Sequence, residues 1–136
     1  MTYPVLSCTA IDARNPRALA DFYCALLGLH CRPGDEAPSP PAADDADWIV
    51  LLDAEEQRVL AIQAKPELRR STWPSEEVPM QLHMDFRVPD AAELAVQRGR
   101  AEALGASLLW DRSTDPDEPL SVLGDPEGHP FCLLVG

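Results

Sequence analysis

Along residues 81–88 apolar and polar side chains alternate. Leu82, Met84, Phe86 and Val88 take one face; Gln81, His83, Asp85 and Arg87 take the other. A period of two predicts a strand covered on one side only. Earlier in the chain the period changes. Leu19, Phe22, Tyr23 and Leu26 recur at i, i+3, i+4 and i+7, one apolar stripe of a helix. Asn15-Pro16 starts that helix and Gly28 ends it, since Asn caps well, Pro suits the first turn and Gly accepts the left-handed exit. An apolar, β-leaning stretch at 5–12 predicts a strand before it. Trp48–Leu52 and Arg58–Ala64 predict a hairpin around the polar DAEEQ at 53–57. After 81–88, Asp90 caps a second helix that runs to Leu104, with Leu94, Ala101 and Leu104 apolar and Gly105 as its stop. Strands are predicted at 107–110, 120–123 and 130–135, the last two joined by the turn Asp125-Pro126-Glu127-Gly128.

The two series superimpose. An offset of 75 carries Cys8 onto His83, Asp12 onto Arg87 and Asn15 onto Asp90; Gly28 reaches Gly105 at 77 and Asp53 reaches Asp125 at 72. So small a drift predicts one βαβββ unit occurring twice. The boundaries are 4–64 for module one, 65–79 for a linker and 80–136 for module two, all within one domain of 136 residues. Residues 33–47, rich in Pro, Ala and acid, predict a solvated loop, and the three prolines of 65–79 break any regular element there.

Composition narrows the partners. Eleven Lys and Arg against 23 Asp and Glu give a net charge of −12. That excludes nucleic acid and anionic membrane surfaces, which need a basic face. No apolar run is long enough to span a bilayer and no signal peptide is visible, so the expected compartment is the cytoplasm. There the four cysteines (Cys8, Cys24, Cys31, Cys132), none in a Cys-x-x-Cys pair, are expected to be thiols. Eight of the acids (Asp35, Glu36, Asp44, Asp45, Asp47, Glu67, Glu76, Glu77) lie in the two linking segments, so much of the charge is solvated rim.

ADFYCALLGL at 20–29, QLHMDFRVPD at 81–90, DPEGHPFCLL at 125–134 and Trp73-Pro74 in the linker stand in an order that resembles the vicinal oxygen chelate superfamily. These are the glyoxalase and bleomycin-resistance proteins, and within them the glyoxalase-like domain branch. The resemblance implies an α+β fold of two tandem βαβββ modules whose curled mixed sheets form a cup, with the helices outside. It also implies a homodimer and a small-molecule ligand. Metal-dependent members hold their ion from the first and last strands of each module. Carried over, those positions fall on Cys8, His83 and Cys132, and on Gln63, Leu60 or Ala61 according to the hairpin register. Metal-using members typically have Glu where Cys132 stands, so the usual Mg, Mn or Fe site is not expected.

Three functional readings stay open. In the first, the cup binds a small molecule and His83 acts as acid/base in lyase or isomerase chemistry, with Asp85 and Arg87 beside it. Asp12, Gln63, Trp73, Cys8 and Cys132 then contact the ligand, Trp73 as a lid. In the second, the protein sequesters a compound without turnover, and its acidity favours cationic ones. In the third, Cys8, His83 and Cys132 hold zinc, with Gln63 or water as fourth ligand. Against each stands a structural alternative: His83 tied to Asp85 or Arg87, Asp12 or Asp85 paired with Arg87, and Cys8 and Cys132 as small buried hydrophobes. His129, one residue past the turn, is expected to face solvent.

Overall fold

The computed structural model describes residues 2–136. They fold as two compact units, 2–68 and 69–136, so the linker divides at 68/69. In unit one, β1 (Thr9–Ala13), α1 (Pro16–Leu27), β2 (His30–Cys31), β3 (Trp48–Leu52) and β4 (Arg58–Ala64) form a sheet ordered β1-β4-β3-β2 with a helix. In unit two, β5 (Met84–Val88), α2 (Ala91–Ala103), β6 (Ser107–Arg112), β7 (Leu120–Gly124) and β8 (Pro130–Val135) repeat this as β5-β8-β7-β6. The βαβββ unit does occur twice. β1 maps onto β5 at the offset of 75, and β3 onto β7 at 72.

Both modules close in one way. The helix carries the chain back so that the last strand pairs parallel with the first, β4 on β1 and β8 on β5. Both helices start on a capping side chain: Asn15 accepts from the Ala18 amide at 3.2 Å and Asp90 from Glu93 at 2.8 Å, each cap contributing about 1 kcal/mol. Under α1 the core is dense. Leu19, Ala20 and Tyr23 of the helix, and Ile49, Leu51 and Ile62 of the sheet, are fully buried, each large apolar side chain stabilising the unit by about 1.5–3 kcal/mol. α2 buries only Leu94 and Ala101.

Four expectations need correction. β1 starts at Thr9, because its parallel partner offers its first paired residue at Leu60; Tyr3, Val5 and Leu6 have no strand to join and stand exposed. β5 likewise starts at Met84 rather than 81, leaving Leu82 exposed. The second strand of module one, which the pattern does not mark, is the two-residue His30–Cys31, too short for any periodic signal. The 33–47 loop is anchored as well as solvated. Arg17 grips Asp44 at 2.6 Å, and Asp35 accepts from the Val50 amide at 2.9 Å.

The repeat extends into the turns. Asp53 Oδ1 accepts from the amides of Glu55 and Gln57, both at 2.9 Å, and Asp125 Oδ1 from Glu127 and His129 at 2.9 and 3.0 Å. Asp125 is fully buried and His129 half-buried, so the second turn is not the solvent-facing one expected; Arg70 lies over it, donating to the Pro126 carbonyl at 2.9 Å. The fourth turn residue has positive φ in both modules: Gly128 at 92° but Glu56 at 60°. A left-handed residue with a Cβ costs about 1–2 kcal/mol, offset by glycine's extra unfolded entropy of about 0.5–1 kcal/mol. Glu56→Gly is therefore expected to raise stability by about 0.5–1 kcal/mol, its exposed contact with His30 contributing little. Gly128→Ala is expected to lower it by about 1 kcal/mol or more, since its Cβ would stand 2.3 Å from Arg70 Cγ. Urea denaturation of the two variants checks both signs.

Candidate functional site

Strand alternation sorts each sheet into two faces. In unit two Ser121, paired with Leu133, shares a pocket with Leu94 and Gly99 of α2, so that row lies under the helix. The neighbouring row faces the other way and crosses all four strands as Asp85, Cys132, Val122 and Trp110. Three interstrand gaps make that row about 14 Å long. The next row on the same face is Arg87, Leu134, Leu120 and Arg112.

At one end of this face, His83 Nε2 lies 3.3 Å from Asp85 Oδ1. The Cys132 thiol donates to the same carboxylate. Burial, and then that hydrogen bond and charge, push the thiol up to about 11. A ligand atom from each of His83, Asp85 and Cys132 lies within 4.8 Å of the others. Asp85 thus lies against both an imidazole and a thiol, and it adds to the burial that raises the thiol. At the other end, the Trp73 ring packs on Trp110 with centroids 6.3 Å apart, and the Arg112 guanidinium sits 5.2 Å over the Trp110 ring. The Thr72–Val78 backbone bond of 2.8 Å closes the linker turn that carries Trp73.

Unit one presents a different surface. Cys8 packs against Val50, Leu52 and Ala61 on the face away from α1. On that face Asp12 pairs with Gln63, whose side-chain amide donates to Asp12 Oδ1 at 3.2 Å. The pairing decides the hairpin register: the module-one equivalent of Cys132 is Ala61, and Gln63 stands two residues further on. Asp12 also borders a pocket of about 490 Å³ lined by Lys65, Pro66, Glu67 and Leu68.

The structure therefore gathers His83, Asp85 and Cys132, with Arg87 two residues along, in unit two. It gathers Asp12 and Gln63 in unit one, which also holds Cys8. By the offset, His83, Asp85 and Cys132 correspond to Cys8, Ala10 and Ala61, so only module two has a polar cluster at this position.

Residues 8–134 match the family of glyoxalase-like domains, 127 of 136 positions counted from end to end. The chain belongs to the glyoxalase-like domain family. This glyoxalase-like domain is similar in fold to a glyoxalase/bleomycin resistance protein/dioxygenase family enzyme from Burkholderia phytofirmans PsJN, at 20% identity over 95% of this chain and 96% of that one, TM-score 0.67. It is similar also to the fosfomycin resistance protein FosX from Listeria monocytogenes, at 15% identity over 99% and 93%, TM-score 0.68. A glyoxalase/bleomycin resistance protein from Albidiferax ferrireducens T118 matches at 16% identity over 96% and 98%, TM-score 0.61. At such identities the likeness shows the fold, that of the vicinal oxygen chelate superfamily with two tandem βαβββ modules. No curated protein sequence matches the chain. No helix among the described residues is long and apolar enough to cross a membrane.

The partnership of Trp110 with Trp73 has no sequence signal, because it depends on the fold of a Pro-rich segment without periodicity. The Asp85–Cys132 contact was equally hidden, since it depends on the β5–β8 register. In the glyoxalase-like domain Asp85→Asn is expected to bring the Cys132 ionisation down towards the ordinary thiol range. Alkylation of Cys132 by iodoacetamide in mildly alkaline buffer, followed by peptide mapping, should then run several-fold faster than in wild type. Unchanged kinetics would separate Asp85 from the thiol.

Proposed function

We propose that this glyoxalase-like protein binds a small organic molecule on the helix-free face of its second sheet, and that His83, oriented by Asp85, moves a proton on it. The observation that carries the reading is the His83–Asp85 contact on an exposed sheet face. Nε2 is the ring nitrogen that faces Asp85, so a proton held there leaves Nδ1 to take one from substrate. Imidazole exchanges protons near neutral pH, and an adjacent carboxylate stabilises the imidazolium as it forms. The chemistry suited to this pair is proton abstraction or return of the lyase or isomerase kind. Trp73 and Trp110 supply an apolar wall, and Arg87 supplies positive charge for a ligand carboxylate or enolate, Arg112 being paired with Asp115 at 2.8 Å. Asp12 and Gln63 offer a second polar surface on the other unit.

A thermal-shift and turnover screen against small keto acids and cationic drugs tests this. His83→Ala should keep ligand-induced stabilisation and lose turnover by about 100-fold or more, the usual contribution of a positioned acid/base. A ligand bound tightly by wild type and never transformed would favour the sequestering alternative. Turnover equal in wild type and His83→Ala would reject the assignment.

One observation favours a second reading, a metal centre. His83, Asp85 and Cys132 offer nitrogen, oxygen and sulfur within 4.8 Å of one another, a donor set that suits zinc better than magnesium. Asp85 replaces Cys8 in the set drawn from the sequence. Zinc when bound supplies Lewis-acid polarisation; the protein's part is to deliver three donors and to release the Cys132 proton, so uptake should strengthen with rising pH. Elemental analysis of protein purified without a metal-affinity tag should then find about one zinc per chain. Cys132→Ser should lower the content. Metal-free protein whose melting ignores both zinc and chelator would sink the reading.

A further inference from the structure

Module two is hollow where module one is solid. The two helices are in register at an offset of 75, fixed by their caps Asn15 and Asp90 and by the buried leucines Leu19 and Leu94. At that offset Tyr23, fully buried in module one, corresponds to Arg98, and Cys24 corresponds to Gly99. On the sheet below, the offset of 72 places Ser121 where module one has the fully buried Ile49. Two fully buried side chains and the half-buried Cys24 are thus replaced by a residue that turns away, by a hydroxyl and by none, while the Phe86–Phe131 ring pair stands where module one has Ile11 and Leu60.

Arg98 does not fill the gap. Its guanidinium reaches the rim, where it meets Glu102 at 2.8 Å and Asp111 at 3.0 Å. A Cβ placed on Gly99 would find nothing within 4 Å. What remains is a pocket of about 330 Å³ walled by Leu94, Ala95, Gly99, Arg98 and Glu102, with Ser121 at its floor. Ser121 is fully buried, and its Oγ has no hydrogen-bond partner among the described residues. Buried hydroxyls nearly always have a partner, because an unmade bond leaves the desolvation cost uncompensated. The pocket lies under α2, on the opposite face of the sheet from His83, so it is separate from the site proposed above.

We infer that this pocket is a second ligand site, taking an uncharged monocyclic phenol of the size of the Tyr23 side chain, with its hydroxyl on Ser121. Three features select that class. The space left by the loss of Tyr23, Cys24 and Ile49 fits one ring, and the volume sits at the small end of ligand pockets. The walls at Leu94, Ala95 and Gly99 are apolar. Arg98 already faces two carboxylates, so the pocket has no spare cation for an anionic ligand. Ser121 is closed to water, so the ring enters as the Arg98 stem leans further out towards its rim partners.

Titration of the full chain with p-cresol, followed by amide NMR shifts, tests the site. Saturable shifts are expected at Leu94, Gly99 and Ser121, with a Kd on the order of 1 mM, as befits eight heavy atoms of modest efficiency. Arg98→Tyr rebuilds the module-one filling and should weaken binding at least about tenfold. If that variant fails to fold, Ser121→Ala keeps the space and removes the hydroxyl; it should weaken p-cresol about 3–10-fold and leave toluene unchanged. His83→Ala should leave p-cresol binding as it is. The inference is overturned by no saturable shift at these amides, meaning a groove that holds only water. Shifts undiminished in Ser121→Ala, or lost in His83→Ala, would overturn it as well.

Discussion

Parallel pairing of the first and last strands is the constraint on which the rest of each module depends. The helix crosses over from the first strand to the second at the far edge of the sheet, and the antiparallel strands that follow lead the last one back beside the first. That pairing fixes register residue by residue, Asp12 against Gln63 in one module and Asp85 against Cys132 in the other. A slip of one position would turn every side chain of the strand to the opposite face and dismantle the polar cluster. The cluster is a product of register as much as of residue type.

Two copies of one backbone have taken different chemistry. Module one spends its helix face on a dense core of Leu19, Tyr23, Ile49 and Ile62 and lines its other face with Cys8, Ala61 and Val50. Module two holds its helix with fewer large contacts and carries His83, Asp85 and Cys132 where module one has Cys8, Ala10 and Ala61. The division sets a dense apolar core in one module against a polar cluster in the other.

The charge of −12 is distributed to match. Asp44 is drawn below the usual carboxylate range chiefly by its hydrogen bond from Arg17, and Asp115 to about 2 chiefly by that from Arg112. These are solvated pairs that organise loops and contribute little to stability. Asp85 differs, because its carboxylate is engaged by an imidazole and a thiol rather than by a guanidinium.

The sequence by itself determined the repeat. The offset of 75, both helix caps, both Asx turns and the alternation of 81–88 are local signals, and the structure reproduces them because short-range hydrogen bonding and periodicity need no distant partner. It also marked His83, Asp85 and Asp12 as polar residues on half-covered strands, and the family resemblance pointed to Cys132 and Gln63. Only the tertiary structure decided which of these meet. The β5–β8 register puts Cys132 on Asp85, the β1–β4 register puts Gln63 on Asp12, and the folding back of a Pro-rich segment puts Trp73 on Trp110. Strand starts at Thr9 and Met84 and the two-residue β2 were likewise outside the reach of local pattern. A strand exists only where a neighbour supplies hydrogen bonds, and for β1 and β5 that neighbour lies about fifty residues away.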